Sequence, residues 1–158
     1  MNLWLIGSGP MAQGYARVLQ ALGTPFTVIG RGEESARNFQ SETGVTVQTG
    51  GLAQALSADK APDTAIVAVG VEQLAPTTKQ LIQSGTQRIL LEKPGGLNVA
   101  ELSDLEAKAN SSGAQVWVAY NRRFYASTLQ AEEMIAEDGG VTSFHFEFTE
   151  WSHKIQHM

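Results

Sequence analysis

The sequence predicts an α/β fold, a doubly wound parallel sheet with helices on both faces. Three observations lead there. Short apolar runs alternate with longer amphipathic segments six times along the 158 residues, the order of repeated strand–helix units rather than of hairpins. One run, Thr64-Ala65-Ile66-Val67-Ala68-Val69, is almost wholly apolar, as a strand covered on both faces must be. A glycine turn, Gly7-Ser8-Gly9, stands between the first apolar run and the first amphipathic segment.

Each element has its own signal. Asn2 to Ile6 reads as the first strand. Ala12, Tyr15, Ala16, Leu19 and Leu22 recur at three- and four-residue steps and predict a helix from Pro10 to Leu22, ended by Gly23-Thr24-Pro25. Phe26 to Ile29 is the second strand, and Ala36 and Phe39 mark a helix over Glu34 to Thr43. Val45 to Val47 is a short third strand, and Gly50-Gly51 opens a short helix carrying Leu52, Ala55 and Leu56. The apolar run at Thr64 is the fourth strand and Val71 to Ser84 the helix after it. Arg88 to Leu91 is the fifth strand; Asn98 caps a helix over Val99 to Asn110. Gln115 to Ala119 is the sixth strand, and a last helix runs to Glu137, broken by Asp138-Gly139-Gly140. Domain boundaries follow: residues 1–137 as the α/β domain, 138–158 as a linker and one further strand.

The glycine turn carries the first chemistry. Gly7 makes the tight turn, and Gly9 has no side chain to keep a pyrophosphate from the backbone. Ser8, Pro10 and Met11 complete the cradle, and the free N–H groups of the helix start, with its dipole, favour phosphate. Pro10 costs little, because its missing N–H falls where a helix has unpaired donors. A glycine turn between strand and helix also occurs without a ligand. The second strand then runs into Gly30-Arg31-Gly32 with no acid at its tip. An NAD site uses a carboxylate there for the ribose 2′-OH, whereas the Arg31 fork suits a 2′-phosphate. NADP(H) is therefore favoured over NAD(H). Glu33 or Glu34 folding back to the ribose would restore NAD, and a lone loop arginine is commonly just solvated. Gly70, at the tip of the fourth strand, lets the backbone come close to the same ligand.

The second informative stretch is Glu92-Lys93-Pro94-Gly95-Gly96, at the carboxyl end of the fifth strand. In open α/β sheets ligands bind at that edge. A lysine ammonium there can donate to a carbonyl oxygen or pass a proton to a developing alkoxide. Pro94 fixes the turn. As bare chemistry, a turn lysine is usually solvated.

Composition narrows the class. A net charge of −5 gives no support for nucleic acid or an anionic membrane as partner. With no cysteine there is no disulfide, thiolate metal site or cysteine nucleophile. No apolar run nears a membrane span and the start lacks a basic leader, so a cytoplasmic protein is expected. No metal site is expected: His153 and His157 lie four apart but have no third ligand.

Taken together, Gly7-Ser8-Gly9-Pro10-Met11-Ala12, Glu92-Lys93-Pro94-Gly95-Gly96 and Tyr120-Asn121-Arg122-Arg123-Phe124 resemble the Gfo/Idh/MocA oxidoreductases, the glucose–fructose oxidoreductase and inositol dehydrogenase family. The resemblance implies a Rossmann domain over residues 1–137 and hydride transfer between nicotinamide C4 and a hydroxyl carbon of a sugar, cyclitol or nucleotide sugar. It implies cofactor contacts from Gly7, Ser8, Gly9, Pro10, Met11, Arg31, Gly70, Glu92, Lys93, Asn121 and Arg122, with Lys93 as the catalytic residue. Family members also carry an antiparallel substrate domain with a His-x-x-x-Asp-type pair. Only Val141 to Trp151 corresponds to it, as a first strand with Phe144, Phe146 and Phe148 on one face. The chain alone is therefore expected to bind cofactor with little or no turnover, and to pair with another copy through that strand or leave it disordered. A free-standing nucleotide-binding or redox-sensing module is the alternative from another class.

Overall fold

The computed structural model describes residues 2–147. A first compact unit ends at Tyr120, and a second begins at Asn121.

In the first unit, six strands form one sheet: β1 (Leu3–Ile6), β2 (Thr27–Ile29), β3 (Val47–Gln48), β4 (Thr64–Val67), β5 (Arg88–Leu91) and β6 (Gln115–Val118). Five helices connect them: α1 (Pro10–Ala21), α2 (Glu33–Thr43), α3 (Gly51–Ala58), α4 (Val71–Gln83) and α5 (Val99–Ser112). All neighbours are parallel and the order is β3-β2-β1-β4-β5-β6. The chain thus winds outward from β1 to β3, returns to the other side of β1 with β4, and winds outward again. That reversal between β1 and β4 leaves a crevice at the carboxyl ends of the two strands.

The register puts alternate side chains of β1 into two cores. Leu3 and Leu5 pack with Ala12, Ala16, Leu19, Val28 and Phe39, under α1 and α2. Trp4 and Ile6 pack with Val67, Leu74, Leu81, Ile89, Leu91 and Leu105, under α4 and α5. All four residues of β1 are buried, which is why the strand reads as a continuous apolar run. Small residues set the spacing. Ala12 and Ala16 are fully buried, so α1 lies close on the sheet.

Observed ends differ from the expected ones by a residue or two, where local propensity is weakest. The third strand is Val47–Gln48 rather than 45–47, α2 begins at Glu33, and α5 reaches Ser112 before Gly113 turns left-handed at φ 71°.

The second unit has a 3₁₀ turn (Asn121–Phe124) and α6 (Ala126–Glu137). The expected helix break holds: Gly139 and Gly140 adopt φ 83° and 114°, which side chains disfavour. The expected strand after it does not appear among the described residues. Val141 to Glu147 carries no strand, and Phe144 and Phe146 are 86% and 75% exposed. Alternating aromatics favour extended backbone, but a strand also needs a neighbour to take up its hydrogen bonds. Phe148 and the rest of that expected segment lie outside the described residues.

Candidate functional site

The glycine turn sits in the crevice between β1 and β4. Gly7 has φ 122°, and a Cβ there would lie 2.1 Å from the Ala68 carbonyl oxygen, so the turn can pack against β4 only with glycine. Gly9 is the opposite case: a Cβ on it would meet no atom within 4 Å. The space before it is open, and it belongs to a cleft of about 1100 Å3.

Four helices point their N-termini at this edge of the sheet. The N-caps of α1, α2, α3 and α4 are Gly9, Gly32, Gly50 and Gly70, and no side chain caps any of them. First-turn N–H groups of α1, α2 and α4 have no side-chain partner, whereas at α3 the Gly51 N–H donates to the Gly30 carbonyl at 2.9 Å. The next helix is built differently. Asn98 caps α5, its Oδ1 accepting from the Glu101 N–H at 3.0 Å, while Glu101 Oε2 accepts from the Leu97 N–H at 2.8 Å. That reciprocal pair closes the end that the other four leave open. The uncapped ends and the unfilled space at Gly9 suit the diphosphate of a dinucleotide.

Of the residues singled out in the sequence, Gly7, Ser8, Gly9, Pro10, Met11, Arg31 and Gly70 line the cleft together. Met11 and Val71 stand half-exposed at its wall and offer apolar surface to flat rings. At the tip of β2, a Cβ on Gly30 would lie 2.7 Å from Val47 Cγ1 and 3.1 Å from Ser8 Oγ, so this position has no room for an acidic side chain without displacing its neighbours. Ser8 Oγ donates to Ser35 Oγ at 2.9 Å, and Ser35 Oγ donates to the Gly32 carbonyl at 3.1 Å. Arg31 is exposed, lines the cleft and makes no ion pair among the described residues. Glu33 is held elsewhere, its Oε1 accepting from Thr49 Oγ1 at 2.7 Å.

Glu92 and Lys93 are not in the cleft lining. Lys93 is exposed, on a turn whose Lys93–Pro94 peptide is cis. Glu92 is buried, at 7% exposure. Its Oε1 accepts from the Tyr15 hydroxyl at 2.6 Å and its Oε2 from the Lys93 N–H at 3.2 Å. Burial, and then the bond to Glu92, push the Tyr15 phenol well above its usual range. Sequence reasoning took Tyr15 as one more apolar position on α1. The signal that it was more is that a tyrosine on a core face needs a partner for its hydroxyl.

Asn121 and Arg122 belong to the second unit, both exposed on the 3₁₀ turn, where the Arg122 carbonyl accepts from Thr128 Oγ1 at 3.0 Å. A second hollow of about 420 Å3 lies between α5 and β6 and contains none of these residues. Among the described residues no group of three or more His, Asp or Glu could hold a metal, and no helix is long and apolar enough to cross a membrane.

Comparisons with known proteins agree with this geometry. Residues 1–120 match the family model described as "Oxidoreductase family, NAD-binding Rossmann fold". GenD2 from gentamicin A biosynthesis, solved in complex with NAD, is 25% identical with TM-score 0.77, over 92% of this chain and 41% of its own. UDP-N-acetylglucosamine 3-dehydrogenase GnnA from Acidithiobacillus ferrooxidans is 18% identical with TM-score 0.71, over 85% of this chain and 41% of its own. Biliverdin reductase from Synechocystis sp. PCC 6803, solved with biliverdin and NADP+, is 21% identical with TM-score 0.71, over 85% of this chain and 42% of its own. The chain thus spans about two fifths of the length of these structures. No curated protein matches the sequence.

Proposed function

The chain belongs to the Gfo/Idh/MocA oxidoreductase family, of which it carries the NAD-binding Rossmann domain, and from that premise we propose that it binds NADP(H) in preference to NAD(H). The complete enzyme would move a hydride to or from a hydroxyl carbon of a sugar, cyclitol or nucleotide sugar. The observation that carries the preference is the tip of β2. Gly30 has no room for the carboxylate an NAD site uses, and Arg31 follows it on the cleft wall. Of the two acids that could restore NAD binding, Glu33 and Glu34, the first is engaged by Thr49. The substrate class is supported by GnnA, described as a UDP-N-acetylglucosamine 3-dehydrogenase.

In this reading the backbone of Gly9 to Met11 holds the diphosphate, and the Arg31 guanidinium grips the 2′-phosphate, with the Ser35 hydroxyl beside it. The nicotinamide, when bound, would supply or take up the hydride. Lys93, at the carboxyl end of β5, orients the substrate oxygen and exchanges a proton with it.

Titrating the chain with NADPH and NADH tests this directly. NADPH should bind more tightly, and Arg31→Ala should cut its affinity by about 10- to 100-fold, the weight of a hydrogen-bonded charge, while leaving NADH nearly unchanged. Tighter NADH binding in the native chain would refute the preference.

A further inference from the structure

The mechanism above does not use Glu92, yet a buried carboxylate is costly unless something is gained by it. Among the described residues it makes no ion pair. Among the described residues two donors hold it: the Tyr15 hydroxyl from α1, 77 positions away in sequence, and the Lys93 N–H next to it. Its own carbonyl accepts from the Gly95 N–H at 3.0 Å, closing the turn. An apolar side chain would fill the same volume at lower cost, but it would leave the Lys93 amide free and α1 unlinked to β5.

We propose that Tyr15 and Glu92 are a positioning pair: their hydrogen bond ties α1 to the turn after β5 and, through the Lys93 amide, fixes the direction in which the Lys93 side chain leaves the backbone. Neither residue lines the cleft at the glycine turn; their bonds run to each other and to the Lys93 backbone. The geometry has a simple consequence. The same helix that presents the Gly9–Met11 backbone to the diphosphate holds, one turn further on, the strut that aims the lysine. Cradle and ammonium are referred to one rigid body, α1, instead of to two independent loops. The raised pKa of the Tyr15 phenol agrees with this, since the pair needs the proton to stay on the tyrosine oxygen. The inference deepens the nucleotide reading and rests on it, because an aimed lysine matters only if a cofactor lies before it.

Trace acetylation of the chain's amines with acetic anhydride, resolved by peptide mass, tests the pair with and without NADPH. In the native chain, bound NADPH should slow acetylation of Lys93. In Tyr15→Phe that protection should fall by about tenfold, the weight of one hydrogen bond to a charged group. NADPH affinity, measured in parallel, should stay within about twofold, because Tyr15 lies outside the cleft. Glu92→Gln keeps the shape but turns an NH2 group on one of the two donors, and should lose the same Lys93 protection. The Lys93 amide resonance should move in both variants while that of Met11 stays in place. Protection retained in both variants would overturn the pair. Protection and affinity falling together in Tyr15→Phe would also overturn it, by reducing the pair to a structural contact. If NADPH binds the native chain without shielding Lys93, the pair falls and the nucleotide reading stands. If no NADPH binds the native chain at all, both fall.

Discussion

Two glycines with one residue between them divide the roles that one motif usually blurs. At Gly7 the absent side chain makes room for the protein itself, the Ala68 carbonyl; at Gly9 it makes room for something outside the protein. Substitutions should separate the two. Gly9→Val should fold, losing about 1 kcal/mol or less as a poorer N-cap, since nothing stands in its way. Its side chain would project over the helix-start amides, and NADPH affinity should drop by about 100-fold or more as two or more charged hydrogen bonds are lost. Calorimetric titration beside a thermal melt reads both quantities. A Gly9→Val chain that binds as the native one does would remove the diphosphate from this turn. Arg31 is a different kind of residue. The role proposed for it rests on its neighbour Gly30, which has no room for an acid.

At the scale of elements, the contrast is between helices that keep their first turn open and one that closes it. Asn98→Ala removes the only side-chain N-cap found on the five helices between strands. It should cost about 1 kcal/mol of stability, seen as a lower urea midpoint, and leave nucleotide affinity unchanged because α5 begins away from the cleft. A loss of affinity without a loss of stability would contradict that division of labour. The segment from Val141 to Glu147 shows the limit of local pattern. Its Phe144 and Phe146 alternate as strand residues do, yet the described backbone there is not a strand. Periodicity sets which face a strand would show, but pairing must come from another segment.

For the first unit as a whole, the reversal of strand order between β1 and β4 gathers the glycine turn, Gly70 and the β2 tip into one cleft. The Tyr15–Glu92 bond crosses the sheet's edge from α1 to the end of β5, and so couples distant segments of the chain. It should also give the fold an alkaline weakness. The phenol's pKa is raised in the folded state, chiefly by burial, so its contribution is complete below the unfolded value of about 10. Above that pH the unfolded chain releases a proton that the folded chain keeps, and stability falls. Urea midpoints should therefore decline as pH climbs from about 10 to about 11, and Tyr15→Phe, less stable at neutral pH, should decline less. Parallel declines in the two chains would show that the phenol is not held as described.

The alternation of apolar runs and amphipathic segments determined the six strands, their helices and the parallel sheet, because β1 and β4 need apolar residues on both faces and the helices need one apolar stripe. The spacing of Gly7 and Gly9 after β1 determined where the chain turns against β4 and where the start of α1 stays bare, because neither position carries a Cβ. Tertiary structure alone decided the rest. That Gly30 excludes a carboxylate depends on Val47 and Ser8, that Glu33 is engaged depends on Thr49, and that Glu92 lies buried depends on Tyr15. Each of these partners is remote in sequence or set by strand register, and a periodic pattern records which face a residue shows, not which neighbour it meets there.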